Sequence, residues 1–271
     1  MDAQERQLFK LQEIDRFGTL CPYTAKYGHT LVLIDTTMTL GQKRIDMIRS
    51  EIFNERNFRD MAPYDLISVY QMSGIEQEAA QNLPIIRKCR PPVGEKTKYK
   101  IDEGDDWRGP TAASLKTLWK RFLASFEDLS PIEEAANTVG DYSVIMESIL
   151  EISRMDSYDF KDEYSPRKLI IFSDMLQNSQ KFRMTTERNK GICDGRRGCP
   201  EWNDFKQNRN IQTLMRFYTP DFGDISNLEI EIHYMNAMYD PFLDKRVIEF
   251  WDGYFADAGI SKVKWVVESF Q

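Results

Sequence analysis

The first apolar run of the chain ends in Asp35-Thr36-Thr37-Met38-Thr39. A carboxylate followed by hydroxyls at the second and fourth positions, Thr37 and Thr39, puts three oxygen ligands on one strand-to-helix turn. A carboxylate at the end of a buried strand is costly to leave without a partner. A hard divalent cation neutralises it, and hydroxyls and water complete the oxygen shell that Mg²⁺ prefers. The same residues also read as a helix cap, with Asp35 closing the next helix and the threonines making local turns. Two more polar clusters stand at corresponding places. Ser173-Asp174 follows the third apolar run, and Gly140-Asp141-Tyr142-Ser143 opens the helix before that run. Asp174 alone also reads as a cap of the turn after it, and Gln177 and Asn178 beside it either reach a ligand or tie the loop together.

These residues need a framework in which strand ends converge. Five runs read as strands: Thr30–Ile34, Leu66–Tyr70, Leu169–Phe172, Leu228–His233 and Val263–Val267. The first and third are almost continuously apolar, as strands covered on both faces must be. Three-four apolar spacing predicts helices over Gln42–Arg59, Thr111–Leu129, Ser143–Met155, Trp202–Tyr218 and Asp244–Ala258, each with its stripe packed on the sheet. Trp251, Tyr254 and Phe255 share one such stripe and read as core. Strands alternating with helices predict an α/β fold, a three-layer, doubly wound and mostly parallel sheet. In such a sheet, ligands bind beyond the carboxyl ends of the strands. The expected organisation is an N-terminal extension over 1–27 and one domain over 28–271. Long loop insertions fall at about 90–110, rich in Pro, Gly and charge, and at 177–200.

Composition narrows the function classes. The chain of 271 residues has 36 Lys and Arg against 43 Asp and Glu, a net charge of −7. That balance, without a basic stripe, argues against nucleic acid as a partner and against an anionic lipid surface. No run reaches the roughly 18–20 apolar residues of a membrane span. The charged opening, MDAQERQLFK, lacks the apolar centre of a secretory signal, so a cytoplasmic location is expected. The four cysteines, at 21, 89, 193 and 199, form no CxxC pair. His29 and His233 fall on or beside strands away from Cys193 and Cys199, so zinc would lack ligands there. A disulfide between those two requires an oxidising compartment, and free thiols in a loop are the expectation. Neither G-x-G-x-x-G nor G-x-x-x-x-G-K-[ST] occurs.

Taken in order, DTTMT at 35–39, Ser143-Val-Ile-Met-Glu-Ser-Ile149 and Ile170-Ile-Phe-Ser-Asp174 resemble the von Willebrand factor A domain. That family writes its metal-ion-dependent adhesion site as D-x-S-x-S, a Thr heading a helix, and an Asp after the central strand. The resemblance implies metal ligands at Asp35, Thr37, Thr39, Ser143 and Asp174, with Asp141 in reserve. It also implies Mg²⁺ (or Mn²⁺) as the cofactor, and a protein partner whose Asp or Glu completes the coordination. Here both motif serines are threonines, and Ser143 replaces Thr and follows Asp-Tyr instead of Gly-Gly. A second resemblance spans roughly 28–268. The chain is similar to a group of uncharacterised bacterial proteins that combine I-D-x-T, S-D-M-L-Q-N and F-W-x-x-Y-F-x-x-A-G, found here within 34–37, 173–178 and 250–259.

Two other readings stay open. LVLIDTTMT also resembles the haloacid-dehalogenase phosphotransferases. That resemblance would make Asp35 a nucleophile forming an aspartyl phosphate, with Ser173 on the phosphoryl oxygens. The late acid pair that would hold Mg²⁺ is not found after Leu228–His233, and Thr37 cannot act as a general acid. The third reading is a metal-free structural scaffold in which the cluster is only a polar turn network.

Overall fold

The computed structural model describes residues 28–36, 42–72, 84–93, 112–127, 142–154, 167–179, 183–184, 193, 199–207, 228–235 and 241–267. They hold six strands and six helices. The strands are β1 (His29–Asp35), β2 (Leu66–Met72), β3 (Ile86–Cys89), β4 (Arg167–Ser173), β5 (Leu228–Tyr234) and β6 (Val263–Val267). The helices are α1 (Gln42–Glu51), α2 (Glu55–Asp60), α3 (Ala112–Ala124), α4 (Ile145–Arg154), α5 (Trp202–Gln207) and α6 (Pro241–Asp257). The strands form one sheet in the order β3-β2-β1-β4-β5-β6. All neighbours are parallel except β3, which pairs antiparallel with β2.

Period-two alternation in β1 builds two cores at once. Leu31 and Leu33 join Ile145, Ile149, Phe250 and Trp251 in one cluster, whereas Val32 and Ile34 join Ile45, Ile48, Phe58 and Phe122 in another. Both faces of the central strand are therefore covered, and β1 and β4 can be apolar nearly throughout. The second core is knit by Phe53, Phe58, Phe122 and Phe126, whose rings lie 4.8–5.2 Å apart. In the first, α5 presses directly on α6. A β-carbon at Gly253 would lie 2.4 Å from Cβ of Trp202, so only glycine permits that approach.

Three expectations change. The helix expected over Gln42–Arg59 is two helices, because Asn54 breaks it. The Asn54 Oδ1 accepts the Asn57 N–H at 2.9 Å as the N-cap of α2, while its Nδ2 donates to the Ser50 carbonyl at 2.7 Å. Strand β3 was not expected. It is a four-residue edge strand with Arg87 and Lys88 at its centre, too short and too charged to show a period. Cys193 and Cys199 are not free thiols but a disulfide, and Cys89 is disulfide-bonded as well. Thiol pairing follows from how the fold packs the loop ends, which neither spacing nor composition carries. Of the helix expected over Trp202–Tyr218, Trp202–Gln207 is present and the rest lies outside the described residues. No described helix is long and apolar enough to cross a membrane.

Candidate functional site

Strand β1 leads on to β2 on one side of it, and β4 leads on to β5 on the other. Where the strand order reverses like this, the following segments part and a crevice opens beyond the carboxyl ends of the two strands. Asp35 ends β1 at that point and Ser173 ends β4 beside it. Asp35 is fully buried. Its Oδ2 accepts the Ser143 hydroxyl at 2.7 Å and the Ser173 hydroxyl at 2.8 Å, so hydroxyls from two distant stretches of chain close on one oxygen. Thr36 turns the other way: its hydroxyl donates to the Met72 carbonyl at 3.2 Å and accepts from Gln71 Nε2 at 2.9 Å, fastening the ends of β1 and β2 together.

The segment after β4 forms a strap that holds these groups in place. The Ser173 hydroxyl accepts the Met175 N–H at 2.9 Å. Met175 has φ 56°, a left-handed conformation that turns the chain, and its carbonyl accepts from Trp251 Nε1 at 2.7 Å. Gln177, wholly buried, receives the Met146 N–H on Oε1 at 2.9 Å and donates from Nε2 to Glu147 at 2.7 Å. That amide satisfies one of the N–H groups which the first turn of α4 leaves without a helical partner. The Asn178 N–H donates to the Ser143 carbonyl at 2.8 Å in an isolated bridge, and the Met184 N–H donates to the Gln177 carbonyl at 2.6 Å. Ser143 is thus fixed through its hydroxyl by Asp35 and through its backbone by Asn178.

Asp174 lies in the same crevice, partly buried, with Oδ1 accepting the Leu176 N–H at 2.9 Å. Burial first, and then the Asp35 carboxylate, push its pKa up to about 7, while the Leu176 N–H and the Arg44 guanidinium on α1 pull the other way. The rim therefore carries two carboxylates near enough for the charge of Asp35 to act on Asp174. Among the described residues, no group of three or more His, Cys, Asp or Glu could hold a metal ion. An ion here would draw instead on two carboxylates and hydroxyls.

A pH dependence follows. The folded-state pKa of Asp174 is raised above its ordinary value of 3.8. Between about 4 and 7 the folded chain therefore holds a proton that the unfolded chain has lost, and stability falls as pH rises through that window. In metal-free buffer, urea midpoints should decline from pH 4.5 to pH 7.5. Asp174→Asn should flatten that decline and be the more stable form at pH 7.5. A parallel decline in the variant would assign the slope to other groups.

Of the residues expected at the site, Asp35 and Ser143 are hydrogen-bonded and Asp174 stands in the same crevice; Thr37, Thr39 and the reserve residue Asp141 lie outside the described residues. Ser173 and Gln177 were singled out in the sequence, but not their partners: Ser173 donates to Asp35, and Gln177 ties the strap to α4. Arg44, which supplies nearby positive charge, was not foreseen. Neither histidine takes part. His29 bonds Ser68 through Nε2 at 3.0 Å, and His233 bonds Glu231 at 2.9 Å.

Together these features define an α/β protein with a six-stranded, mostly parallel sheet and a cluster of buried polar and acidic side chains at the carboxyl ends of its central strands. No family model matches the chain, and no curated protein matches it. Among solved structures, it is similar to the pilus adhesin SpaC from Lactobacillus rhamnosus GG in an open conformation, with a TM-score of 0.44 and 8% sequence identity. The match covers 91% of this chain and 28% of that one, and at this distance it assigns neither fold nor function.

Proposed function

We propose that the crevice is a divalent-cation site of the adhesion type, on a von Willebrand A-like three-layer fold, through which the chain binds a protein partner. The observation that carries the reading is the gathering of Asp35, Ser143 and Asp174 at one rim, with the Asp174 pKa raised to about 7 by burial and by Asp35. A bound Mg²⁺ or Mn²⁺ would relieve the burial of the Asp35 carboxylate and its repulsion of Asp174. Asp35, Ser143 and Asp174 would hold the ion, with Thr37 and Thr39 as the hydroxyls expected from the turn after β1. Bound there, the ion supplies positive charge and an open coordination position for an Asp or Glu side chain of the partner. Ser173, Gln177 and Asn178 keep Asp35 and Ser143 in register. They need not touch the ion.

The test is thermal unfolding across a Mg²⁺ and Mn²⁺ titration at pH 7.5. At about one hundred times Kd a ligand specific to the folded state adds about 2.7 kcal/mol. For a chain of this size that is a rise in Tm of about 5–10 °C. Asp174→Asn should lose most of the rise. A Tm unmoved at millimolar metal would leave the polar turn network as a scaffold. Release of phosphate from an aryl phosphate, abolished by Asp35→Asn, would replace the binding reading with the phosphotransferase one.

A further inference from the structure

We infer that this chain folds and works in an oxidising compartment. The inference does not depend on a metal ion being bound.

Cys89, Cys193 and Cys199 are all disulfide-bonded, and no cysteine is free among the described residues. In a reducing cytosol, glutathione and thioredoxin keep thiols open, and the disulfides that do form there are mostly transient, catalytic or redox-sensing. Sensing and catalytic cysteines are accessible and sit in electropositive surroundings. These have the opposite character: Cys89 is 0%, Cys193 5% and Cys199 1% exposed. Cys89 belongs to the sheet itself, as the last residue of β3, paired with Leu66. Buried cross-links within the core describe a protein built to be oxidised, not one that switches. This replaces the cytoplasmic location expected from the opening residues.

One measurement tests this on the whole chain. Cells of the source organism are quenched in trichloroacetic acid, and the precipitate is denatured with N-ethylmaleimide and no reductant before the protein is weighed. Denaturation opens the buried positions to the reagent, so a thiol that is free in the cell takes the label. No cysteine should carry it; label on Cys89, Cys193 or Cys199 in most molecules would overturn the compartment.

Discussion

Asp35→Ala should destabilise the protein by about 2–5 kcal/mol, since two buried hydroxyls lose their acceptor at once and each unsatisfied group costs about 1–3 kcal/mol. Ser143 and Ser173 are 5% and 0% exposed, so water has no ready access to replace the carboxylate. Asp35→Asn keeps an oxygen that can accept both hydroxyls and should cost much less. The substitution also removes the charge that helps raise the Asp174 pKa. At pH 8, where Asp174 is ionised, that relief offsets part of the loss; at pH 5 it does not. The penalty of Asp35→Ala should therefore be larger at pH 5 than at pH 8. Urea denaturation at the two pH values measures the difference, and an equal penalty would mean that the two carboxylates do not share a field.

Trp251→Ala should have a still larger effect, about 4–6 kcal/mol. Emptying a fully buried aromatic site costs about 3–5 kcal/mol, and the Met175 carbonyl loses its indole donor as well. Set against a typical domain stability of about 5–15 kcal/mol, a loss of that size threatens folding outright. Trp251→Phe is the tractable form. It keeps most of the apolar volume, drops the hydrogen bond, and should cost about 1–3 kcal/mol. Because that bond holds the residue at φ 56°, the amide signals of Ser173 through Gln177 should shift in Trp251→Phe. A loss of stability with those signals unmoved would separate the core from the crevice and reduce Trp251 to packing.

Much of the framework was legible because buried parallel strands leave so direct a trace. Leu31–Ile34 and Leu169–Phe172 must face apolar neighbours on both sides, and no other element of that length looks the same. Val263–Val267 has the same bounds in sequence and structure. Strand β3 was hidden by its position at the edge, where Arg87 and Lys88 are tolerated and no apolar period develops. The break at Asn54 was hidden because the apolar spacing runs on through Ile52 and Phe58, and a single side-chain cap decides the matter.

The site followed a similar division. Asp35 and Asp174 could be placed because acids at strand ends converge by topology alone. Ser143 could be placed only through the order of motifs, because nothing local says which hydroxyl at a helix start will reach across 108 positions to a carboxylate. Ser173, Gln177 and Asn178 were visible as residues but not as partners, since their bonds are made to α4, Asp35 and Ser143 by the path of the strap. The cysteines were the plainest misreading. Pairing depends on tertiary proximity and on the redox setting, and neither is written in the spacing of four residues.

The central claim is that an ion sits among Asp35, Ser143 and Asp174, and diffraction from crystals soaked in Mn²⁺ tests it most directly. Data collected near the manganese absorption edge should give one strong anomalous peak in the crevice, within about 2.0–2.6 Å of at least one oxygen of these residues, and Asp174→Asn crystals should lose it. A crevice without that peak at millimolar Mn²⁺, or a peak that persists undiminished in Asp174→Asn, would contradict the account.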